Sequence, residues 1–267
     1  MSIYIGNNKY KEIYLGSNKI SEVYLGSNKI FSGVDPYNPL NLPPNTIRVR
    51  TSDGNAPTKS NGTSYGTATL VTGTSDVYDV YKSGTSFDSL LLYSTNVVEV
   101  LGANTTGITD MTNMFSNCSN LTSIALFDTS SVTRMGSMFN TCSSLTSVPL
   151  FDTSKVTNMN SMFVSCSSLT SVPLFDTSKV TNMYQMFQGC THLTTVPLFN
   201  TSKVTNMSYA FRYCYKVESG ALALYQQASS QTNVPTHTYT FIYCGRDTVS
   251  GAAELAQIPT SWGGTAS

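Results

Sequence analysis

Cys118, Cys142, Cys166, Cys190 and Cys214 stand 24 residues apart, and Cys244 follows at 30. Thiols at regular spacing could pair as disulfides, hold a metal or act as nucleophiles. Metal sites and redox dithiols set two cysteines within a few residues of each other, and the chain has no C-x-x-C. One cysteine per period is instead the pattern of a buried thiol column, because free cysteine is among the most buried residue types. The two histidines, His192 and His237, lie outside any H-x-x-x-H, H-E-x-x-H or G-x-S-x-G context. Asp128, Asp152 and Asp176 recur once per period beside Thr and Ser, and Asn takes the same place at 200. A helix cap tolerates that exchange; a paired-carboxylate site does not. Glycine-rich phosphate loops are absent from the sequence. The residues therefore indicate no catalytic group, no metal and no cofactor, and a protein that is not an enzyme.

Period, rather than motif, organises the chain. Unit 111–134 reads MTNMFSNCSNLTSIALFDTSSVTR, 135–158 MGSMFNTCSSLTSVPLFDTSKVTN, 159–182 MNSMFVSCSSLTSVPLFDTSKVTN and 183–206 MYQMFQGCTHLTTVPLFNTSKVTN. A further unit starts in register at Met207 and then departs. Upstream, 87–110 aligns without a gap, with Phe87 in the first Met column and Leu91 in the Phe column, and reads as the N-terminal cap repeat. Each unit holds L-x-x-V-x-L (Leu145, Val148, Leu150), the pattern of a short inward-facing strand. Val156, Met159, Phe163 and Cys166 then follow at spacings of three, four and three, which predicts one face of a helix begun by Asp152-Thr153-Ser154. Pro149, Pro173 and Pro197 sit inside the strand pattern and limit it to a very short strand. The expected fold class is an α/β solenoid of 24-residue strand–helix units sharing one core, preceded by a small β-rich N-terminal region.

The string FDTSKVTNM…MF..CSSLTSVPL resembles the BspA-like leucine-rich repeat family of bacterial and bacteriophage proteins, over residues 87–214. That resemblance implies a curved leucine-rich repeat solenoid and surface or adhesive roles, without naming a ligand. Beyond it, residues 215–267 read as divergent helical cap repeats: VESGALALYQQA after Cys214 and VSGAAELAQIP after Cys244 share a Val, Ser-Gly-Ala and a helical run. Trp262 is placed to seal the open end.

The N-terminus carries a shorter repeat. IYIGNNKYKE, IYLGSNKISE and VYLGSNKIFS recur every ten residues across 1–31, with turns expected at Gly16-Ser17-Asn18-Lys19 and Gly26-Ser27-Asn28-Lys29. Ile13, Leu15, Val23 and Leu25 would share one face of the meander and Tyr4, Tyr14 and Tyr24 the other. Such a sheet is too small for its own core, so it reads as an attachment or oligomerisation segment, with a trimer as the guess. It resembles segments at the start of phage tail and baseplate-associated proteins. Residues 32–44, rich in proline, read as a linker, and 45–86 as a small β module.

Columns that are constant between units serve the fold, and columns that vary are free to bind. Toward the C-terminal units the varying columns change from small polar residues to Tyr184, Gln185, Gln188, His192, Tyr209, Arg212, Tyr213, Tyr215 and Lys216. Tyr and Arg are the residues of adaptable binding surfaces, so these form the candidate ligand site; its structural alternative is a cover over the cap junction. A second candidate is an aromatic ladder of Phe127, Phe151, Phe175 and Phe199, able to stack on sugars if exposed. A net charge of 0 with 11% charged residues excludes a nucleic-acid partner, which needs a basic stripe. The start MSIYIGNNKYKE lacks an apolar run of signal-peptide length, and no stretch suits membrane insertion. The expected function is host-surface recognition by a phage tail fibre, tip or other virion protein, with a bacterial surface protein or glycan as partner and other virion proteins bound through the N-terminal repeats. Release by lysis would place it in the virion. The alternatives are a bacterial cell-surface adhesin and a virion decoration or spacer protein without a receptor.

Overall fold

The computed structural model describes residues 40–57 and 67–266 in full, and before them the backbone of two hairpins. Strand β1 (Ile3–Ile5) pairs antiparallel with β2 (Asn8–Tyr10), and β3 (Glu22–Leu25) with β4 (Asn28–Ser32). Asn28 and Lys29 therefore stand in a strand and not in the expected turn. The turn at 16–19 and the two side-chain faces of the meander lie outside the described residues.

Five strands form one sheet: β5 (Thr46–Thr51), β6 (Thr67–Leu70), β7 (Val77–Tyr81), β8 (Val97–Asn104) and β9 (Ser123–Ile124), in the order β6-β7-β5-β8-β9. Ile47, Val49, Val80, Val97 and Val100 bury one face, while Arg48 and Asp79 form a two-pronged ion pair on the other, at 2.6 and 2.7 Å. Strand β8 belongs to the first 24-residue unit, pairing antiparallel with β5 and parallel with β9 of the next unit. The sheet and the repeats are thus continuous at this strand. Leu42, at the end of the proline-rich stretch, is buried and its carbonyl accepts from the Asn104 amide at 2.7 Å, so this stretch ends packed against β8.

From Phe87 onward the units stack in register. In unit 159–182 the amides of Met159, Ser161, Phe163 and Ser165 donate to carbonyls of Asn182, Tyr184, Met186 and Gln188 in the next unit, at 2.7 to 3.1 Å. The intervening amides of Met162, Val164 and Cys166 donate three residues back, to Met159, Ser161 and Phe163. An α-helix would send every amide four residues back along its own chain. Here every second amide leaves the unit, and the helix expected from the apolar spacing is replaced by consecutive turns. The spacing of three and four marks the inward face correctly, because Met159, Met162, Phe163 and Cys166 are all fully buried. Two residues per unit take left-handed backbone to make this possible, as at Ser161 (φ 55°) and Ser165 (φ 56°).

The strand is in most units displaced from its expected place. Parallel bridges run through Asp110, Arg134, Asn158, Asn182 and Asn206, one per unit, whereas among the described residues L-x-x-V-x-L pairs only at β9 and at Thr195 with Ser219. Proline removes one ladder bond from the units that carry it. Ala125, in the column later filled by Pro149, Pro173 and Pro197, donates its amide to Val100 in the preceding unit at 2.9 Å, a bond proline cannot make. Instead the Phe151 amide returns to the Pro149 carbonyl at 3.0 Å, a three-residue turn with Leu150 at its apex. Leu150 is 61% exposed, correcting its inward assignment, and Phe151 takes the core position; Leu126, 40% exposed, and the buried Phe127 divide the same way after Ala125.

Aromatic rings fill the stack. Phe115, Phe139, Phe163, Phe187, Phe211 and Phe241 lie face to face at 5.2 to 5.8 Å. Phe151, Phe175 and Phe199 pack beside this column at 6.0 to 6.3 Å. Helix α1 (Ala221–Ser229) and helix α2 (Val249–Leu255) flank the last units. Gly220 precedes α1 at φ 96°, where a Cβ would meet the Val196 carbonyl at 2.1 Å. The Glu254 carboxylate of α2 accepts from the amides of Gly220 and Leu222, supplying the anion that the N-terminus of α1 lacks from its own cap. Trp262 closes the column, buried and stacked on His237 at 4.0 Å and Phe241 at 6.4 Å.

Removing the centre of the ring column should be costly and removing an apex leucine should not. Phe163→Ala should destabilise by about 3–5 kcal/mol, and Leu174→Ala by less than about 0.5 kcal/mol, as read from urea unfolding. Similar losses in the two variants would contradict the assignment of inward and outward columns.

Candidate functional site

The cysteine column is structural. Five of the six thiols donate to the carbonyl of the ring-column residue in the preceding unit: Cys118 to Leu91, Cys142 to Phe115, Cys166 to Phe139, Cys190 to Phe163 and Cys214 to Phe187, at 3.0 to 3.1 Å. All six cysteines are buried and free. Burial pushes Cys118 and Cys166 up to about 12, and the other thiols also well above the ordinary value. A raised folded-state pKa favours the neutral thiol. Its stabilisation is whole below the ordinary value of 9.0 and is lost as pH climbs toward the folded value near 12. Each such thiol should remove about 1.4 kcal/mol of stability per pH unit in that window. Urea midpoints measured across the window should fall steeply, and Cys166→Ala should have a slope shallower by one proton. Equal slopes would show that Cys166 does not titrate on unfolding.

The aspartate column closes local turns. Carboxylate oxygens of Asp128, Asp152 and Asp176 accept from the amides of Ser130, Ser154 and Ser178 at 2.8 to 3.0 Å, and the Asn200 amide oxygen accepts from Ser202 at 3.0 Å. Asn serves as well as Asp because only an acceptor oxygen is needed. The buried Thr129, Thr153 and Thr177 beside them donate to the carbonyls of Asp152, Asp176 and Asn200 in the next unit. No helix follows these residues, so they act as turn closers and unit ties, not helix caps.

The Phe127, Phe151, Phe175 and Phe199 column cannot stack on a sugar. These rings are at most 2% exposed, packed into the core in every unit, Phe127 after Ala125 as well as the three that follow a proline.

The tyrosine and arginine candidates meet on the turn surface of the last units. Tyr184 sets its ring edge against Tyr209 at 5.9 Å, and Tyr209 packs on Tyr239 at 6.1 Å. Beside that row, Tyr213 stacks on Tyr243 at 5.6 Å and touches Tyr215 at 5.9 Å. The Arg212 guanidinium lies 4.3 Å from the Tyr213 ring centre and 5.3 Å from that of Tyr209, and Arg246 lies 4.4 Å from Tyr215 and 5.0 Å from Tyr243. Gln185 and Gln188 occupy the Tyr209 and Arg212 columns one unit earlier, and Lys216 is exposed next to Tyr215. His192 stays outside the ring network: its Nδ1 donates to the Ser167 carbonyl at 2.7 Å. Tyr239, Tyr243 and Arg246 were not among the sequence candidates, since a six-residue insertion before 237 breaks the period. Aligning TYTFIYC on Cys244 with SYAFRYC on Cys214 recovers them.

Four of these tyrosines stand where the backbone is left-handed: Tyr209 (φ 62°), Tyr213 (φ 64°), Tyr239 (φ 50°) and Tyr243 (φ 60°). Ser89, Asn113, Ser137, Ser161 and Gln185 fill the first of these columns elsewhere, and Tyr93, Asn117, Thr141, Ser165 and Gly189 the second, so that one such ring, 45% exposed, also stands in the first unit. Left-handed backbone costs an L-residue roughly 1–2 kcal/mol, least for Asn and Gly, and a bulky ring there is an outlier. Tyr239 and Tyr243 are 47% and 43% exposed, so burial does not compensate.

The whole assembly is that of a repeat protein with an aromatic, cation-bearing surface at one end. The chain belongs to the family described as Mycoplasma protein of unknown function, DUF285, whose model matches residues 84–191 and 170–234, together more than half of the sequence. No curated protein and no solved structure matches it.

If the exposed tyrosines were a seal over the cap, their loss would be as costly as that of a core ring. Tyr239→Ser, which installs the residue found at 137 and 161, should instead change stability by less than about 1 kcal/mol. A loss near that of Phe163→Ala would assign Tyr239 to the cap.

Proposed function

We propose that the chain is a non-enzymatic binding protein: a solenoid of BspA-like leucine-rich-type repeats that presents its C-terminal tyrosine–arginine surface to a bacterial surface, as part of a phage tail fibre, tail tip or other virion component. The observation that carries this reading is the meeting of the strained, left-handed Tyr209, Tyr213, Tyr239 and Tyr243 with Tyr184, Arg212 and Arg246 on one surface. Strain of this kind collects at binding sites, where it is retained for contact and not for folding. Tyrosine offers wide contact area with few rotamers to freeze, and stacked guanidinium groups add charge in fixed places. The virion setting rests on the ten-residue repeats of 1–31, whose paired strands would attach the chain to neighbouring virion proteins or to further copies of itself.

A second reading, an adhesin on a bacterial cell, is favoured by the family description, which refers to Mycoplasma. Both readings use the same surface and differ in what displays it.

The test is binding of fluorescently labelled protein to a panel of intact bacteria. Beside it runs a variant carrying Tyr184→Asn, Tyr209→Ser, Arg212→Gln and Tyr213→Ser, each the residue of the same column in another unit. Strain-selective binding by the parent, lost in a variant with unchanged melting, is the expected result. Binding retained by the variant would remove this surface from recognition, and no binding to any strain would favour a spacer role.

A further inference from the structure

Of the five arginines, four meet a carboxylate: Arg48 meets Asp79, Arg50 meets Asp76 and Glu99, Arg134 meets Asp110, and Arg246 meets Asp247. Arg212 has none among the described residues. It is only partly exposed, its guanidinium is held against two tyrosine rings, and its one recorded side-chain partner is the neutral Tyr213 hydroxyl, to which Nη2 donates. Its Nε is fully buried and has no hydrogen-bond partner. A partly buried cation without a counter-charge, with a buried donor left unmade, is costly unless something else completes it. One unit earlier the same column holds Gln188, so the fold at this place does not require a cation.

We infer that Arg212 is the anion-binding centre of the surface and that the ligand is an acidic glycan, a sugar polymer bearing carboxylate or phosphate groups. This deepens the binding function proposed above and rests on it. The guanidinium fork matches both groups in geometry, and its clamping between rings fixes it before the ligand arrives. Arg246 and the exposed Lys216 add positive charge nearby, and of these cations only Arg246 is in an ion pair among the described residues, with Asp247. That makes a local positive excess in a chain whose net charge is 0. The sugar part is read by the rings. Tyr184, Tyr209 and Tyr239 form one row across successive units and Tyr213 and Tyr243 a second, with neighbours 5.6 to 6.1 Å apart. Rows of rings and hydroxyls running along the repeat axis suit a linear polymer whose apolar ring faces and hydroxyls alternate. An acidic peptide would instead need pockets to anchor its side chains.

The full-length chain is titrated into fluorescein-labelled polygalacturonate, poly(glycerol phosphate) and dextran, and anisotropy is followed at low and moderate salt. Binding to an acidic polymer, at least tenfold weaker in Arg212→Gln, weakened by salt and absent with dextran, is the expected outcome. Which acidic polymer binds separates carboxylate from phosphate recognition. Lys155→Gln, a charge change on a Lys column repeated elsewhere in the stack, should leave affinity unaltered. Equal binding of dextran, or equal binding of the acidic polymer by Arg212→Gln, would overturn the inference. Strain-selective cell binding with neither acidic polymer bound would overturn it while leaving the recognition function standing. Failure to bind both cells and polymers would remove both.

Discussion

Along each turn segment, every second amide crosses to the next unit while its neighbours close turns within their own. This alternation fixes almost everything else. It demands two left-handed residues per unit, because an unbroken right-handed course would turn all amides back along the chain. It sets the units in register, so a side chain at one column meets the same column above and below. The ring column stacks for that reason, and the thiols follow from it. The Phe139 carbonyl accepts the turn amide of Cys142 and, at its second lone pair, the thiol of Cys166 one unit on. At the first unit the column holds Ser94, which has no repeat before it, and its buried hydroxyl has no partner.

The sequence discloses the period and the inward columns more faithfully than the backbone. A spacing of three and four is the signature of an α-helix, yet turns that close three residues back with a left-handed residue every fourth place bury the same columns. Met159, Phe163 and Cys166 fall inward in either case, so periodicity cannot separate the two. What could have is composition: Asn, Ser, Thr and Gly recur at the two left-handed columns, and Asn and Gly are the residues that tolerate that backbone best. The prolines gave the other warning. L-x-x-V-x-L reads as three inward apolar residues, but Pro149 removes the ladder donor, and the last leucine lies outward with the next phenylalanine inward at Leu150 and Phe151 as at Leu126 and Phe127. Burial of all four rings ended the sugar-ladder reading of the Phe column.

The candidate surface was visible as a drift in composition, not as a motif. Tyr184, Tyr209, Arg212, Tyr213 and Tyr215 come together, whereas His192 does not join their rings. The strain beneath the tyrosines was invisible, because no spacing rule distinguishes a left-handed position from a helical one. Tyr239, Tyr243 and Arg246 were hidden by the insertion that makes room for helix α1, although their contacts complete both aromatic rows.

A stack built this way separates folding from recognition unusually well. Backbone bonds, rings and thiols hold the units together, and none of them depends on the side chains at the outward turn columns. Those columns can change from Ser to Tyr, or from Gln to Arg, at the cost of local strain and without disturbing the ladder. Tyr93 apart, the tyrosines of these columns lie in the last units, where Trp262 and the two helices close the core and restrict the end unit. An end that is closed by a packed cap, not left to fray, is the place where a strained aromatic surface can be held in one arrangement. The middle units, with Ser, Asn and Thr in the same columns, stand between that surface and the five-stranded sheet.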